Sequence, residues 1–214
     1  KHMVPPFEVS VFADPSGAFT TAAGMVALTE KYLKDKFDSN LNDSNVIILG
    51  GTGPVGVASA VICAKAGSNV TLVGRNIEKA EKIAGICNER YQSKNVKGGA
   101  DADKSDYFKT ADVVLNTGAA GIQLMTDEHI GMSDSLKICA DTNAVPPSGI
   151  AGVDVMDNGK VIEKSPNGCV GIGALAIGNI KYKSQHECLK LMYTSEKPVY
   201  LDFEDAFKFA QKSV

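Results

Sequence analysis

Three glycines at fixed spacing form the part of the sequence best suited to chemistry. Gly51, Gly53 and Gly56, in the stretch VIILGGTGPVG, match G-x-G-x-x-G, a spacing that lets backbone N–H groups approach a phosphate closely. The motif follows a strand-like apolar run at 46–49 and precedes a helical pattern over about 54–66. This order aims the positive end of a helix at a pyrophosphate. The stretch therefore predicts a dinucleotide site, with a tight turn that holds no ligand as the alternative.

The residues after the next predicted strand indicate which dinucleotide would bind. That strand, at 69–73, is followed by Gly74-Arg75-Asn76, without the carboxylate that NAD-binding enzymes usually present to the ribose hydroxyls. Arg75 supplies a planar set of donors that suits a 2′-phosphate, and Lys79 lies one helical turn further on. We therefore predict NADP rather than NAD as the cofactor; a solvated arginine at a strand end is the simpler alternative.

Small and polar residues also follow the next two predicted strands, at 112–116 and 136–140. The stretch NTGAAG comes after the first, and Asp141 and Asn143 come after the second, on the edge where open α/β sheets bind ligands. A plain loop is the alternative for NTGAAG. The predicted cofactor-binding residues are Gly51, Thr52, Gly53, Pro54, Val55, Arg75, Lys79, Thr117, Gly118, Ala119 and Asn143.

The elements that position these residues follow from hydrophobic periodicity. Short apolar runs alternate with helical patterns, which indicates βαβ units and an α/β fold of the Rossmann type, with a doubly wound parallel sheet. A strand is expected at about 7–12, and Thr20 or Thr21 is expected to cap a helix that runs to about Phe37.

Further along the chain, side chains that cap helices and form turns mark the remaining elements. Asn76, Thr126 and Asp202 are expected to begin helices, the first of them over about 77–91. The dipeptide Asn158-Gly159 indicates a hairpin between two alternating runs. A long helix is expected through about Tyr193.

Composition sets limits on the class of protein. The chain has 214 residues, 44% of them hydrophobic, and a formal net charge of −3 without a broad basic face, so nucleic acid is not expected as a partner. The sequence has no apolar run of about 18 residues that would predict a membrane span and no signal-peptide pattern, so we expect a cytoplasmic protein. The five cysteines are scattered without a C-x-x-C pair, which favours buried reduced thiols over a metal site or a disulfide framework.

The combination of several motifs resembles a known family. The stretches ADPSGAFTTAAG, GGTGPVG, VGRNIEKAE, NTGAAGIQL, ADTNAVPPSGIAGVD and GIGALAIGNIKYK occur in this order. Together they resemble the NADP-dependent methylene-tetrahydromethanopterin dehydrogenases, some of which also use methylene-tetrahydrofolate. The resemblance extends over nearly the whole chain from about Pro6.

The resemblance implies a domain organisation. Such enzymes place an N-terminal α/β domain beside a Rossmann domain and bind the pterin between them, so residues 1–36 would be a remnant of the first domain. Residues 37–190 would then bind NADP, and 191–214 would form a helix that packs back toward the N-terminal side. The chain begins with Lys1 rather than methionine, and His2-Met3 suggests a vector remnant or a start partway through a longer protein. We expect part of the N-terminal domain to be missing.

The resemblance also implies a reaction, hydride transfer from the methylene carbon of the pterin to NADP, in a homo-oligomer. Lys181 matches the family's lysine at the pterin site and is the candidate catalytic residue, with Lys183 its near neighbour. Asp14 matches a position near the interdomain cleft and is a second candidate for substrate binding; a solvated lysine and a turn residue are the alternatives. Rival functions are a different NADP oxidoreductase, of the shikimate or methylene-tetrahydrofolate dehydrogenase type, and a non-catalytic NADP-binding module. No metal site is expected.

Overall fold

A computed structural model describes residues 4–214, so Lys1 to Met3, and with them the possible vector remnant, lie outside the described residues. Nine strands are assigned in this range: β1 Val11–Phe12, β2 Asn45–Leu49, β3 Asn69–Gly74, β4 Val96–Ala100, β5 Val113–Asn116, β6 Ile138–Asp141, β7 Asn158–Val161, β8 Val170–Ile172 and β9 Tyr200–Leu201. Seven α-helices accompany them: α1 Ala18–Phe37, α2 Pro54–Lys65, α3 Ile77–Tyr91, α4 Lys104–Phe108, α5 Asp127–Ile130, α6 Ala174–Thr194 and α7 Phe203–Gln211.

Seven strands form one sheet in the spatial order β4-β3-β2-β5-β6-β8-β7. All of its neighbouring pairs are parallel except β7 with β8, which is antiparallel. The order runs outward in both directions from β2 and β5, so the crevice at the carboxyl ends of these two strands is the switch point where such sheets bind ligands. The predicted doubly wound Rossmann-type sheet is therefore confirmed.

Helices or loops cover both faces of this sheet. Along β2, Val46 and Ile48 face the core under α1, α2, α3, α6 and α7, whereas Ile47 and Leu49 face a second core under α4 and α5. Successive residues of a strand point to opposite faces, so a strand covered on both sides is apolar on both, as residues 46–49 of β2 are. Within the described residues, no helix has both the length and the apolar content needed to cross a membrane.

The two ends of the chain meet in a separate small sheet. β1 pairs in parallel with β9, Val11 opposite Tyr200, and α7 packs against α1. The strand expected over 7–12 is therefore shorter than predicted, because β9 offers only two residues to pair with. Phe7 is 80% exposed. The packing of α7 on α1 agrees with the expected return of the C-terminal segment, while the three-part domain division stays a prediction.

The prediction of a hairpin turn at Asn158-Gly159 was wrong. These residues begin β7, and the chain turns back after it to form β8. The hydroxyl of Tyr32 lies 2.8 Å from the carbonyl oxygen of Asn158, and the Tyr32 ring leaves no room for a side chain at Gly159. A contact between residues far apart in the sequence thus decides the conformation here.

Candidate functional site

The glycine loop between β2 and α2 is shaped by close approaches of backbone to backbone. Gly50, at φ +63°, lies so close to Gly118 that a Cβ would stand 2.5 Å from the Gly118 Cα. A Cβ on Gly56 would stand 2.6 Å from the Gly51 Cα, so this glycine lets α2 begin directly against the loop. A Cβ on Gly53, by contrast, would stand 3.7 Å from the Gly50 carbonyl oxygen, an ordinary van der Waals contact. The open side of the loop is therefore at Gly53, where a ligand would approach.

The start of α2 has the properties of an anion site. Gly53 is the N-cap with no side-chain capping bond, and Pro54 occupies the first turn. The first N–H groups of a helix lack intrahelical partners, and the helix dipole places partial positive charge there. Thr52 and Val55, which flank Gly53 and Pro54, are half-buried. A pyrophosphate at this point would satisfy the free N–H groups.

The end of β3 lies beside this loop. The side chain of Thr52 packs on Gly74, where a Cβ would stand 2.8 Å from Thr52 Cγ2. Arg75 and Lys79 follow and are exposed, and neither has a salt-bridge partner among residues 4–214. The Asn76 side chain accepts a hydrogen bond from the Lys79 N–H at 2.8 Å, which confirms its predicted role as the cap of α3. Two exposed cationic side chains thus follow the strand end that packs against the glycine loop.

The loop after β5 forms the other wall of the crevice. The Thr117 N–H and Oγ1 both donate to the Leu49 carbonyl at 2.9 Å, which ties this loop to the end of β2. Gly118 donates its N–H to Asn116 Oδ1 at 3.0 Å, and Ala119 is exposed. The backbone of Thr117 to Ala119 therefore borders the crevice at the switch point.

Asn143 is buried in a hydrogen-bond network between two loops. It is 7% exposed, and its Oδ1 accepts hydrogen bonds from Gly121 N at 3.2 Å and Val145 N at 3.0 Å, while its Nδ2 donates to Pro147 O at 2.7 Å. These bonds join the loop after β5 to the loop after β6. The side chain of Asn143 thus holds loops together, and its direct contact with a cofactor stays a prediction.

A second group of predicted residues meets at the start of α1. The helix begins at Ala18, so the predicted cap at Thr20 or Thr21 was wrong; both threonines lie inside the first turn. Asp14 performs the capping instead: its Oδ1 accepts from Phe19 N at 2.9 Å, and its Oδ2 accepts from Thr20 Oγ1 at 2.7 Å. A carboxylate suits the helix start because of the dipole.

Lys181 of α6 reaches this same place. Its Nζ lies beside Gly17, where a Cβ would stand 2.5 Å from it. Lys181 is half-buried, whereas Lys183 is exposed. The two neighbouring lysines thus differ in burial, and Lys181 lies at the turn that Asp14 organises.

The histidines within the described range have ordinary structural surroundings. His129 Nδ1 accepts a hydrogen bond from Thr126 N at 3.1 Å and so completes the cap of α5. Burial, with Lys104 nearby, lowers the pKa of His129, so the ring is neutral at physiological pH. His186 is exposed on α6 beside Glu187. Neither histidine adjoins the glycine loop or the Asp14 turn through these contacts.

The fold and the glycine crevice define the class of protein: a Rossmann-type α/β fold with a crevice of the kind that binds dinucleotides. No family model matches the chain. The chain is 40% identical over 213 residues to the NAD(P)-dependent methylenetetrahydromethanopterin dehydrogenase of Methylorubrum extorquens strain AM1, covering 98% of this chain and 71% of that one. It is 35% identical over 215 residues to the bifunctional protein MdtA of the same organism, covering 99% and 71%.

Solved structures agree in fold. The quinate dehydrogenase of Corynebacterium glutamicum, in complex with NAD, superposes with a TM-score of 0.59 over 99% of this chain and 76% of its own, at 14% identity. The family is shown by the sequence identity of 40% to the first relative, over most of both chains. This chain belongs to the methylenetetrahydromethanopterin dehydrogenase family.

Proposed function

We propose that the protein is an oxidoreductase that transfers a hydride from the methylene carbon of methylene-tetrahydromethanopterin to NADP and so forms the methenyl pterin. This reaction would belong to one-carbon metabolism. The observation that carries this proposal is a glycine crevice at the sheet's switch point in a chain 40% identical to a named dehydrogenase of this pterin. Methylene-tetrahydrofolate is the second substrate that the motifs suggest.

The residues at the crevice fit a dinucleotide. Gly53 leaves the loop open to a ligand, and the uncapped start of α2 offers N–H groups to a pyrophosphate. Thr117 to Ala119 would border the nicotinamide half, at the end of β5. When bound, the cofactor supplies a nicotinamide ring that accepts a hydride.

The choice of NADP over NAD rests on Arg75 and Lys79. Both are exposed cations at the end of β3, and the residues 74–76 carry no carboxylate that would repel a 2′-phosphate. A carboxylate does occur nearby, at Glu78 in the first turn of α3. It lies four residues after the end of β3, and so not at the strand end itself. The guanidinium of Arg75 would hold the 2′-phosphate through charge-assisted hydrogen bonds.

On the substrate side, Lys181 and Asp14 would bind the pterin. The ammonium of Lys181 lies at the turn that Asp14 holds, so one site would offer both a donor and an acceptor to a ring that carries both kinds of group. Hydride transfer to nicotinamide needs no proton donor from the protein. Proximity and orientation of the two rings would therefore supply most of the rate, which agrees with histidines that serve structural roles.

The expectations of a cytoplasmic location and a homo-oligomer belong to this proposal. They rest on the composition of the chain and on its resemblance to the family. Light scattering after gel filtration measures the oligomeric state directly, and a monomer at micromolar concentration would contradict that part.

The proposal is tested by mixing the protein with NADP and either pterin and following the absorbance of the reduced nicotinamide. Reduction with a methylene pterin and none with shikimate or quinate is the expected result. Lys181→Met should lower kcat/KM for the pterin at least about tenfold with little change in NADP affinity, whereas Lys183→Met, an exposed neighbour, should behave like the parent. NADP binding without reduction by either pterin would instead support a binding module.

A further inference from the structure

A buried hydrogen-bond network centres on Asp141, the last residue of β6. Asp141 is 2% exposed and accepts four hydrogen bonds. Its Oδ1 accepts from Asn116 Nδ2 at 2.7 Å and from Asn143 N at 2.9 Å. Its Oδ2 accepts from Gly149 N at 2.7 Å and from Ile150 N at 3.0 Å. One carboxylate thus ties the end of β5 to the start and the middle of the loop that follows β6.

The network leads directly to the crevice. Asn116, which donates to Asp141, accepts with its own Oδ1 from the Gly118 N–H at 3.0 Å. Gly118 lies against Gly50 of the glycine loop. Asn116 is fully buried, and its amide must face Asp141 with the nitrogen and Gly118 with the oxygen. Asp141 therefore fixes the orientation of Asn116 and, through it, the backbone of the loop after β5.

We propose that Asp141 is a positioning residue for the nicotinamide half of the cofactor. The inference rests on the proposed function. A dinucleotide that crosses the switch point has its adenosine half near Arg75 and its nicotinamide half over the ends of β5 and β6. The network around Asp141 would lie under the second half, and it meets the glycine loop only where Gly118 contacts Gly50. Its loss should therefore affect the two halves of the cofactor differently.

A carboxylate is required at this place by the pattern of donors. Each oxygen of Asp141 accepts from two N–H groups, so an asparagine would direct its NH₂ group against two donors in either orientation of the amide. An unpaired buried donor costs more than a lost hydrogen bond, because its desolvation is not compensated. Asp141→Asn should thus release the loops with a minimal change of shape.

The test compares two ligands by calorimetry: NADP, and 2′-phospho-ADP-ribose, which lacks the nicotinamide. For Asp141→Asn we expect the affinity for NADP to fall about tenfold and the affinity for the fragment to stay within about twofold of the parent. An equal loss for both ligands would show general damage and overturn the proposal, as would unchanged affinity for NADP.

Asp112→Asn is the matched control. Asp112 precedes β5 at the opposite end of the same strands, where it accepts hydrogen bonds from Asn45 N at 2.9 Å and Lys137 Nζ at 2.6 Å. This variant also removes a carboxylate that joins strands of the sheet, but far from the crevice edge. It should lose stability and keep the parent's affinities for both ligands.

Asn116→Asp gives an independent result if Asp141→Asn does not fold. The new carboxyl would face Asp141, and two carboxylates at this distance share a proton with a raised pKa. Deprotonated, position 116 has no donor for Asp141; protonated, its O–H restores the bond. The ratio of its NADP affinity to that of the parent should therefore rise as the pH falls from 8 to about 5.5, and a flat ratio would overturn the proposal.

These measurements follow binding alone, so they separate this inference from the proposed function. If the parent binds NADP but reduces it with neither pterin, the proposed function fails and the positioning role can still hold. If the parent reduces NADP while Asp141→Asn binds both ligands as the parent does, only the positioning role fails.

Discussion

At the scale of single residues, the proposed preference for NADP over NAD rests mainly on Arg75. Replacing Arg75 by alanine should weaken NADP about tenfold, the low end for hydrogen bonds to charged groups, because the site is exposed. The affinity for NAD, which has no 2′-phosphate, should hardly change. Arg90→Ala, at the other end of α3, is the control. Equal losses for NADP and NAD in titrations would contradict the assignment of Arg75.

Asp14 has two proposed roles that one substitution separates. Asparagine caps a helix about as well as aspartate, so Asp14→Asn should change the free energy of unfolding by less than about 1 kcal/mol. If the carboxylate also binds the pterin, KM for the pterin should rise about tenfold while NADP affinity is kept. Denaturant titration and steady-state kinetics measure these effects. Kinetics identical to the parent would leave Asp14 with the capping role alone.

Some residues could be predicted from the sequence and others could not. The glycine loop and the Asn76 cap depend on neighbours within a few positions, so their spacing was informative. The bond between Asn116 and Asp141 joins residues 25 apart, and it exists because β5 and β6 are adjacent. The sequence placed Asp141 at the ligand edge, but nothing local showed that it would turn inward and accept four hydrogen bonds.

At the scale of elements, α2 depends on its close contact with the glycine loop. Gly56→Ala would drive a Cβ into Gly51 and push the helix start away, so NADP binding should be lost or fall by more than about tenfold. Gly85→Ala is the matched control, since its Cβ would meet nothing within 4 Å on α3.

Gly85→Ala itself should raise the free energy of unfolding by about 0.5–1 kcal/mol, because alanine favours the helix over glycine. Chemical denaturation measures this change. Nearly normal NADP binding in Gly56→Ala would show that the close contact at α2 is not required.

The sequence did not predict strand β4, because close packing between elements accounts for its glycines. Its sequence VKGGA lacks an apolar run, and Gly98 and Gly99 would conventionally break a strand. In the fold, a Cβ at Gly98 would collide with the backbone of α3 at Glu81, and one at Gly99 would collide with Tyr107. The glycines thus serve tight packing between elements, which periodicity along the chain does not reveal.

At the scale of the whole molecule, all five cysteines lie in the core. Cys63, Cys87, Cys139, Cys169 and Cys188 are each at most 1% exposed. Burial raises the pKa of Cys188 to about 12 and also raises the pKa of Cys63 and Cys87, so the reactive thiolate is scarce.

A colorimetric thiol reagent at pH 8 should therefore modify fewer than one thiol in the native protein and five after denaturation. Rapid reaction of the native protein would contradict the buried arrangement. The expectation of buried cysteines came from the apolar segments in which they lie, and the structure places them in the two cores on either side of the sheet.

The sequence could predict the type of sheet, doubly wound and parallel, because alternating strands and helices with short connections permit few parallel topologies. The pairing of β1 with β9 was not predictable, since it joins two-residue strands at opposite ends of the chain. The same holds for the meeting of Lys181 with Gly17, which depends on α6 packing against α1.

Direct hydride transfer is tested with methylene-tetrahydromethanopterin whose methylene carbon carries deuterium. We expect the protein to reduce NADP with this substrate and the deuterium to appear at C4 of the nicotinamide. The reaction of unlabelled substrate in deuterated water should leave that position unlabelled. Reduction without transfer of the label, or deuterium taken up from the solvent, would contradict direct hydride transfer.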